Sequence, residues 1–259
     1  MLLEHGEEAL ALAGGTALVL LLRQRVLSAR YFVDLTVLPG LREVAWDDDA
    51  GARIGALATL RDVERSPALR AALPIVPETY ATVGNVRIRN AATVGGNLAH
   101  GDYRLDPPAA LLALDARVHI AGPRGPRELP LAGFFRGFEE TALERGELIT
   151  AVTIAPPPTG AAGAYVKFSS LGADDWPCVG AAALVALDGA DRIAGPEPMA
   201  HRDRPCVGDV TQVQQVHRLV VEPLLPFDPR APIGSAGSLA SGCSWSRPRT
   251  RSSPGRLDN

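Results

Sequence analysis

Short apolar runs, cut by glycine pairs, prolines and acidic turns, organise this chain. Residues 7–13 read as a helix end or short strand running into Gly14-Gly15, and residues 18–25 are apolar enough for a helix leaving that turn. Residues 31–35, 44–46 and 52–57 read as strands, the last two joined by the acidic turn at 47–51. Residues 59–66 read as a helix with Thr59 at the N-cap and Asp62 three positions on, close to a capping box. After Pro74 and Pro77 a helical stretch leads into the run IRNAATVGGNL at 88–98, in which Ile88, Ala92 and Val94 are expected to face inward. Residues 108–115 are apolar and expected to be buried. Residues 117–121 and 127–131 read as strands around a Gly-Pro turn. Residues 148–154 read as a further strand, ended by Ala155 and three prolines. Beyond that proline run, 164–169 and 179–187 read as antiparallel strands of a second unit. Strands and helices mix without a regular βαβ rhythm, so the expected class is α+β.

With 259 residues and 46% hydrophobic composition, the chain can bury a sizeable core in one large domain or two modest ones. The proline run divides 1–157 from 158–228. Residues 229–259 are crowded with Ser, Arg, Pro and Gly and lack periodicity; they read either as a disordered tail or as an altered reading frame. The formal net charge of −3 argues against a broad nucleic-acid surface. Cys178, Cys206 and Cys243 are too scattered for a CxxC motif, so neither a disulfide framework nor an iron–sulfur cluster of the chain's own is expected. No metal-ligand spacing is present. The apolar stretch 17–22 is far shorter than the roughly 20 residues of a membrane span. The N-terminus is acidic, at Glu4, Glu7 and Glu8, rather than a signal peptide, and a cytoplasmic location follows by default.

The candidate chemistry lies in the glycine pairs. Backbone without side chains approaches a phosphate closely and aims N–H groups at it. Ala13-Gly14-Gly15-Thr16 would offer such amides plus a hydroxyl, with Ala17 opening a helix behind them; the plain alternative is a tight strand–helix turn. Neither GxGxxG nor GxxxxGK[ST] occurs. Thr93, Gly95, Gly96 and Asn97 would line an opposite wall, or the glycines mark a bend. Arg87 and Arg89 either offset phosphate charge or face solvent. Asp106 either accepts ribose hydroxyls or caps a helix. His100 reads as a loop histidine able to stack on a ring. Lys167, the single lysine, either meets a phosphate or flavin edge or is solvated. Asp174, Asp175 and Trp176 read as a turn with a packed indole. No nucleophilic triad can be picked out, and no catalytic residue is assigned.

AGGT at 13–16, IRNAATVGGNL at 88–98, DPPAALLALDA at 106–116, FFRGFEETALERGELI at 134–149, and KF with DDWP at 167–177 follow one another as in one family. Over about residues 5–190 the chain resembles the FAD-binding medium subunit of molybdenum hydroxylases, a family that includes carbon monoxide dehydrogenase medium chains and the flavin domain of xanthine dehydrogenase. The resemblance implies a p-cresol methylhydroxylase-type FAD-binding fold at 1–157, in two subdomains of about 1–42 and 43–157. A partial C-terminal antiparallel-sheet domain would follow at 158–228. It implies FAD held by Ala13, Gly14, Gly15, Thr16 and Ala17 on one side and Thr93, Gly95, Gly96 and Asn97 on the other, with Asp106 and Lys167 as further contacts. It implies two partners, a molybdopterin-containing large subunit and a [2Fe–2S] small subunit, with electrons passing on to an external acceptor. The chain departs from the family pattern at both ends: the first strand and part of the first helix look missing, and the last third does not match. A degraded FAD-binding scaffold or assembly protein is the alternative, and a stand-alone flavin oxidase ranks behind it for want of a base.

Overall fold

The computed structural model describes residues 1–169, 172, 174–187 and 193–194, and their architecture is α+β. Most of the unit expected at 158–228, the whole of 229–259, and Cys206 and Cys243 lie outside the described residues. The chain begins with α1 (Leu2–His5), β1 (Ala9–Leu12), α2 (Leu18–Arg23) and β2 (Tyr31–Asp34). β1 and β2 lie parallel, with Ala9 beside Tyr31 and Leu12 beside Asp34. Parallel pairing requires a crossover, and α2 supplies it.

β3 (Val44–Asp47) and β4 (Gly51–Gly55) form a hairpin. Its acidic turn is closed by Asp47 Oδ1, which accepts from the N–H groups of Asp49 and Ala50 at 2.9 and 2.8 Å. Together with β5 (Arg117–Gly122), β6 (Gly125–Pro130) and β9 (Leu148–Ile154) they make an antiparallel sheet of order β3-β4-β9-β5-β6. Between β6 and β9 lies the small hairpin β7 (Phe135–Gly137) and β8 (Glu140–Thr141). Ile54, Val118, Ile120, Val152 and Ile154 are almost wholly buried and belong to one cluster. Leu60, Val63, Leu69, Tyr80, Leu98 and Leu111 of the helices join it. Each such side chain contributes about 1.5–3 kcal/mol by leaving water.

Those helices are α3 (Leu60–Arg65), α4 (Pro67–Ala72), α5 (Ile75–Ala81), α6 (Val86–Ala91), α7 (Val94–Ala99) and α8 (Asp106–Ala113). The capping box at α3 forms as expected: Thr59 Oγ1 accepts from the Asp62 N–H at 3.0 Å, and Asp62 Oδ2 from the Thr59 N–H at 2.9 Å. Pro77 does not precede a helix but sits in the first turn of α5, where its missing N–H has no intrahelical acceptor to lose. Asn85 caps α6 through Oδ1, which accepts from the N–H groups of Arg87 and Ile88 at 3.0 and 3.2 Å. Ala92 and Val94 are buried as expected, but Ile88 is 38% exposed, because α6 turns it outward.

A second antiparallel sheet has the order β10-β11-β12, from β10 (Ala162–Phe168), β11 (Val179–Leu187) and β12 (Ile193–Ala194). Alternation along β10 turns Val166 and Phe168 outward and Tyr165 and Lys167 toward the helices. Among the described residues, no helix is long and apolar enough to cross a membrane.

Candidate functional site

The loop between β1 and α2 is shaped by its glycines. Gly15 has φ +71°, a left-handed conformation that side chains resist, and its carbonyl accepts from the Val19 N–H at 2.9 Å. A Cβ on Gly14 would lie 1.9 Å from Ala91 O and 3.0 Å from Ala92 Cα. The loop's bare backbone therefore presses on the backbone that leads into α7. The two glycine segments, distant in sequence, meet here. Among the described residues, none accepts a hydrogen bond from the backbone N–H of Gly14, Gly15 or Thr16. Ala17, at the N-cap of α2, has no side chain able to cap it. Bare amides on a half-buried loop favour an anion.

The second pair is arranged differently. Gly95 and Gly96 are not a loop or a bend: they sit in the first turn of α7. Thr93 caps that helix, its Oγ1 accepting from the Gly96 N–H at 3.1 Å. The Val94 N–H donates to Ala58 O at 2.9 Å, the Gly95 N–H to Ala56 O at 2.8 Å and the Asn97 N–H to Thr93 O at 2.8 Å. The amides from 94 to 97 are thus satisfied within the protein. A Cβ on Gly95 would stand 2.7 Å from the Ala56 Cβ, so this glycine lets α7 lie against the chain leaving β4. Asn97 Oδ1 is buried and, among the described residues, has no hydrogen-bond partner. A buried acceptor left alone costs about 1–3 kcal/mol, which a donor on a ligand would recover.

Other expected site residues find protein partners. Arg89 is held by Glu64 Oε2 at 2.8 Å and by the carbonyls of Val83 and Gly84 at 3.1 and 2.7 Å, so its charge is spent inside the fold. Arg87 is exposed. Asp106 is the first residue of α8 rather than its N-cap, and is 2% exposed. Its Oδ1 accepts from the Tyr165 hydroxyl at 2.7 Å and its Oδ2 from Lys167 Nζ at 3.2 Å. Lys167 Nζ also donates to Thr82 O at 2.9 Å. Burial pushes the Asp106 carboxyl above its usual range, against the pull of the Tyr165 bond and the Lys167 charge. Burial and the Asp106 carboxylate both push the Tyr165 phenol up. Trp176 is 54% exposed rather than packed away.

Three participants were missed from sequence. Asp102, 1% exposed at its side chain, binds Arg104 through both oxygens, at 2.8 Å to Nε and 2.8 Å to Nη2. Arg104 lies 4.3 Å from the Phe138 ring centre and 5.9 Å from that of Trp176. Tyr165, two positions before Lys167 on one strand, had a usable signal, since that spacing puts both on one face. Among the described residues, no group of His, Cys, Asp and Glu could hold a metal ion.

Residues 1–158 match the family model described as the FAD binding domain in molybdopterin dehydrogenase. The carbon monoxide dehydrogenase medium chain of Afipia carboxidovorans is 36% identical over 193 residues, covering 73% of this chain and 65% of the relative. The putative xanthine dehydrogenase FAD-binding subunit of Escherichia coli is 33% identical over 188 residues, covering 72% of this chain and 64% of the relative. Among solved structures, carbon monoxide dehydrogenase of Hydrogenophaga pseudoflava aligns with a TM-score of 0.71 at 30% identity, over 75% of this chain and 67% of that one. The chain thus spans just under two thirds of the length of these curated relatives.

Proposed function

The chain belongs to the family of FAD-binding domains of molybdopterin dehydrogenases, and on that premise we propose that it is the FAD-carrying electron-transfer subunit of a molybdenum hydroxylase. The residues fit the cofactor. The loop Ala13–Ala17 offers the backbone N–H groups of Gly14, Gly15 and Thr16, which bond to no described residue, to a diphosphate, and Thr16 adds a hydroxyl. Asn97 offers a buried acceptor to which no described residue donates, with Thr93 capping the same helix, α7. Gly95 and Gly96 serve by letting α7 lie close, rather than by donating. The observation that carries the reading is the contact of Gly14 with the Ala91–Ala92 backbone, which brings both segments to one place.

Bound FAD would supply the reversible redox chemistry of its flavin ring; this chain's part is to hold and orient it. In the same reading residues 1–157 form the p-cresol methylhydroxylase-type fold in two subdomains. A [2Fe–2S] small subunit and a molybdopterin large subunit are the partners, an external acceptor receives the electrons, and the setting is cytoplasmic. The relatives support a multi-subunit arrangement through their names, among them a 6-hydroxypseudooxynicotine dehydrogenase complex subunit.

The test is the visible spectrum of the purified chain after incubation with FAD and desalting. Flavin absorbance near one FAD per chain supports the reading; a colourless protein sinks it. Co-purification with a cysteine-rich small subunit then tests the electron-transfer role.

A further inference from the structure

The inward face of β10 carries Gly163, Tyr165 and Lys167 at alternate positions. On the paired strand β11, Gly180 lies directly opposite Lys167, and Ala182 opposite Tyr165. Gly180 is therefore the diagonal neighbour of Tyr165, within reach of an aromatic ring. A Cβ on Gly180 would stand 2.5 Å from the Tyr165 hydroxyl oxygen, 3.1 Å from its Cε2 and 3.2 Å from its Cζ. The ring thus lies across a gap in β11 that any side chain would fill. From there its hydroxyl reaches Asp106 at the start of α8 and donates to Oδ1 at 2.7 Å.

The Lys167 and Asp106 side chains are only 7% and 3% exposed. One Asp106 oxygen is taken by Tyr165 and the other by Lys167 Nζ, at 3.2 Å, so the carboxylate cannot turn without losing a bond. An ammonium has three N–H groups. Asp106 and the Thr82 carbonyl take two of those on Lys167, and no described residue accepts the third. A nearly buried charge with a spare donor suits an acceptor on a ligand. Burial pushes the Asp106 carboxyl up, and the Tyr165 bond is the foremost influence pulling it back, ahead of the Lys167 charge. Burial and that carboxylate push the phenol up in turn, so it stays protonated and keeps donating. Few other groups face Asp106. Thr82, after α5, also pulls its carboxyl down. Glu78 of α5 is exposed, the Tyr80 phenol is pushed up by burial, and β11 carries no titratable side chain.

We propose, on the FAD reading above with Asp106 and Lys167 as cofactor contacts, that Tyr165 is a positioning residue for that pair and that Gly180 is the opening that lets it serve. Tyr165 acts through Asp106. It fixes the orientation of the carboxylate and keeps it charged, and the charged carboxylate holds the Lys167 ammonium in place for the ligand. Without the hydroxyl, Asp106 takes up a proton at higher pH and Lys167 loses its counter-charge. FAD affinity should therefore fall on acidification in the parent, and should fall at higher pH once the hydroxyl is gone.

The experiment measures FAD Kd from flavin fluorescence, from about pH 5 to about pH 8, for the full chain and for Tyr165→Phe, Gly180→Ala, Asp106→Asn and the pair Tyr165→Phe/Asp106→Asn. Tyr165→Phe keeps the ring and is expected to weaken FAD binding about 3–10-fold at neutral pH, with the acid limb of the profile moved to higher pH. Gly180→Ala should act in the same direction, because its Cβ pushes the hydroxyl off Asp106. Added to Asp106→Asn, Tyr165→Phe should change Kd by less than about twofold. A weaker Kd with an unmoved acid limb, or full additivity with Asp106→Asn, would make Tyr165 simple packing and overturns the proposal. So does a Tyr165→Phe or Gly180→Ala protein that matches the parent in both Kd and profile. If Gly180→Ala or Asp106→Asn does not fold or bind, the acid limb of Tyr165→Phe decides alone. A parent that takes up no FAD overturns the FAD reading and this proposal together. A parent that binds FAD, with Tyr165→Phe binding it equally at every pH, overturns the proposal and leaves the FAD reading standing.

Discussion

Gly14-Gly15 and Gly95-Gly96 are the same dipeptide in unlike settings. The first pair lies in an open loop with a left-handed residue, and the N–H groups of Gly14 through Thr16 bond to no described residue. The second lies in a capped helix whose amides are consumed by Ala56, Ala58 and Thr93. Missing side chains expose donors at the first pair and permit close packing at the second. In the FAD site proposed above, the cradle would not be symmetric: one wall would supply amides, and the other a helix that carries Asn97.

The sharpest way to break this contrast is Gly14→Ala. Its Cβ would meet backbone atoms of Ala91 that cannot rotate away, so the two segments must part. The expected outcome is a loss of about 3 kcal/mol or more in urea unfolding, together with loss of FAD retention. A stable, FAD-retaining Gly14→Ala protein would remove the reason for joining the segments.

Gly95→Ala comes next. Its Cβ would press on Ala56 rather than on any bound phosphate, so the expected loss is about 1–3 kcal/mol of stability already present without FAD. Equal stability with and without the substitution in FAD-free protein would return Gly95 to a direct phosphate role. Asn97→Ala sharpens the contrast by sign. Removing an acceptor that has no partner should leave FAD-free stability unchanged or raise it by up to about 1 kcal/mol, while FAD binds more weakly. A drop in FAD-free stability would mean that Asn97 is simply part of the packing.

Gly96→Ala should be the mildest. Gly96 is exposed, and the nearest obstacle is the Thr93 hydroxyl, so weakened capping roughly offsets a helix-propensity gain of about 1 kcal/mol. A net change within about 0.5 kcal/mol in chemical denaturation is expected; a collapse comparable with Gly14→Ala would make the two pairs alike after all.

Local signals carried far in this chain. Thr59 and Asp62 at capping-box spacing gave a helix that formed, because each partner lies within one turn of the other. The strands at 148–154 and 179–187 followed from apolar runs bounded by turn residues. Charged and polar site residues were less legible. Arg89, for which the sequence leaves phosphate and solvent both open, bonds instead to Glu64, 25 positions earlier, and Asp106 and Lys167, for which it offers separate roles, pair across 61 positions. Ion-pair partners carry no periodicity, so nothing in the sequence announces which arginine or lysine is already spent.

What the sequence determined by itself was the set of elements, the α+β class and the family, since each rests on residues a few positions apart or on an ordered series of short motifs. Tertiary structure alone decided what each glycine pair does and which charges remain available. A backbone N–H is a free donor or a spent one according to what packs against it, and that neighbour is chosen by the fold.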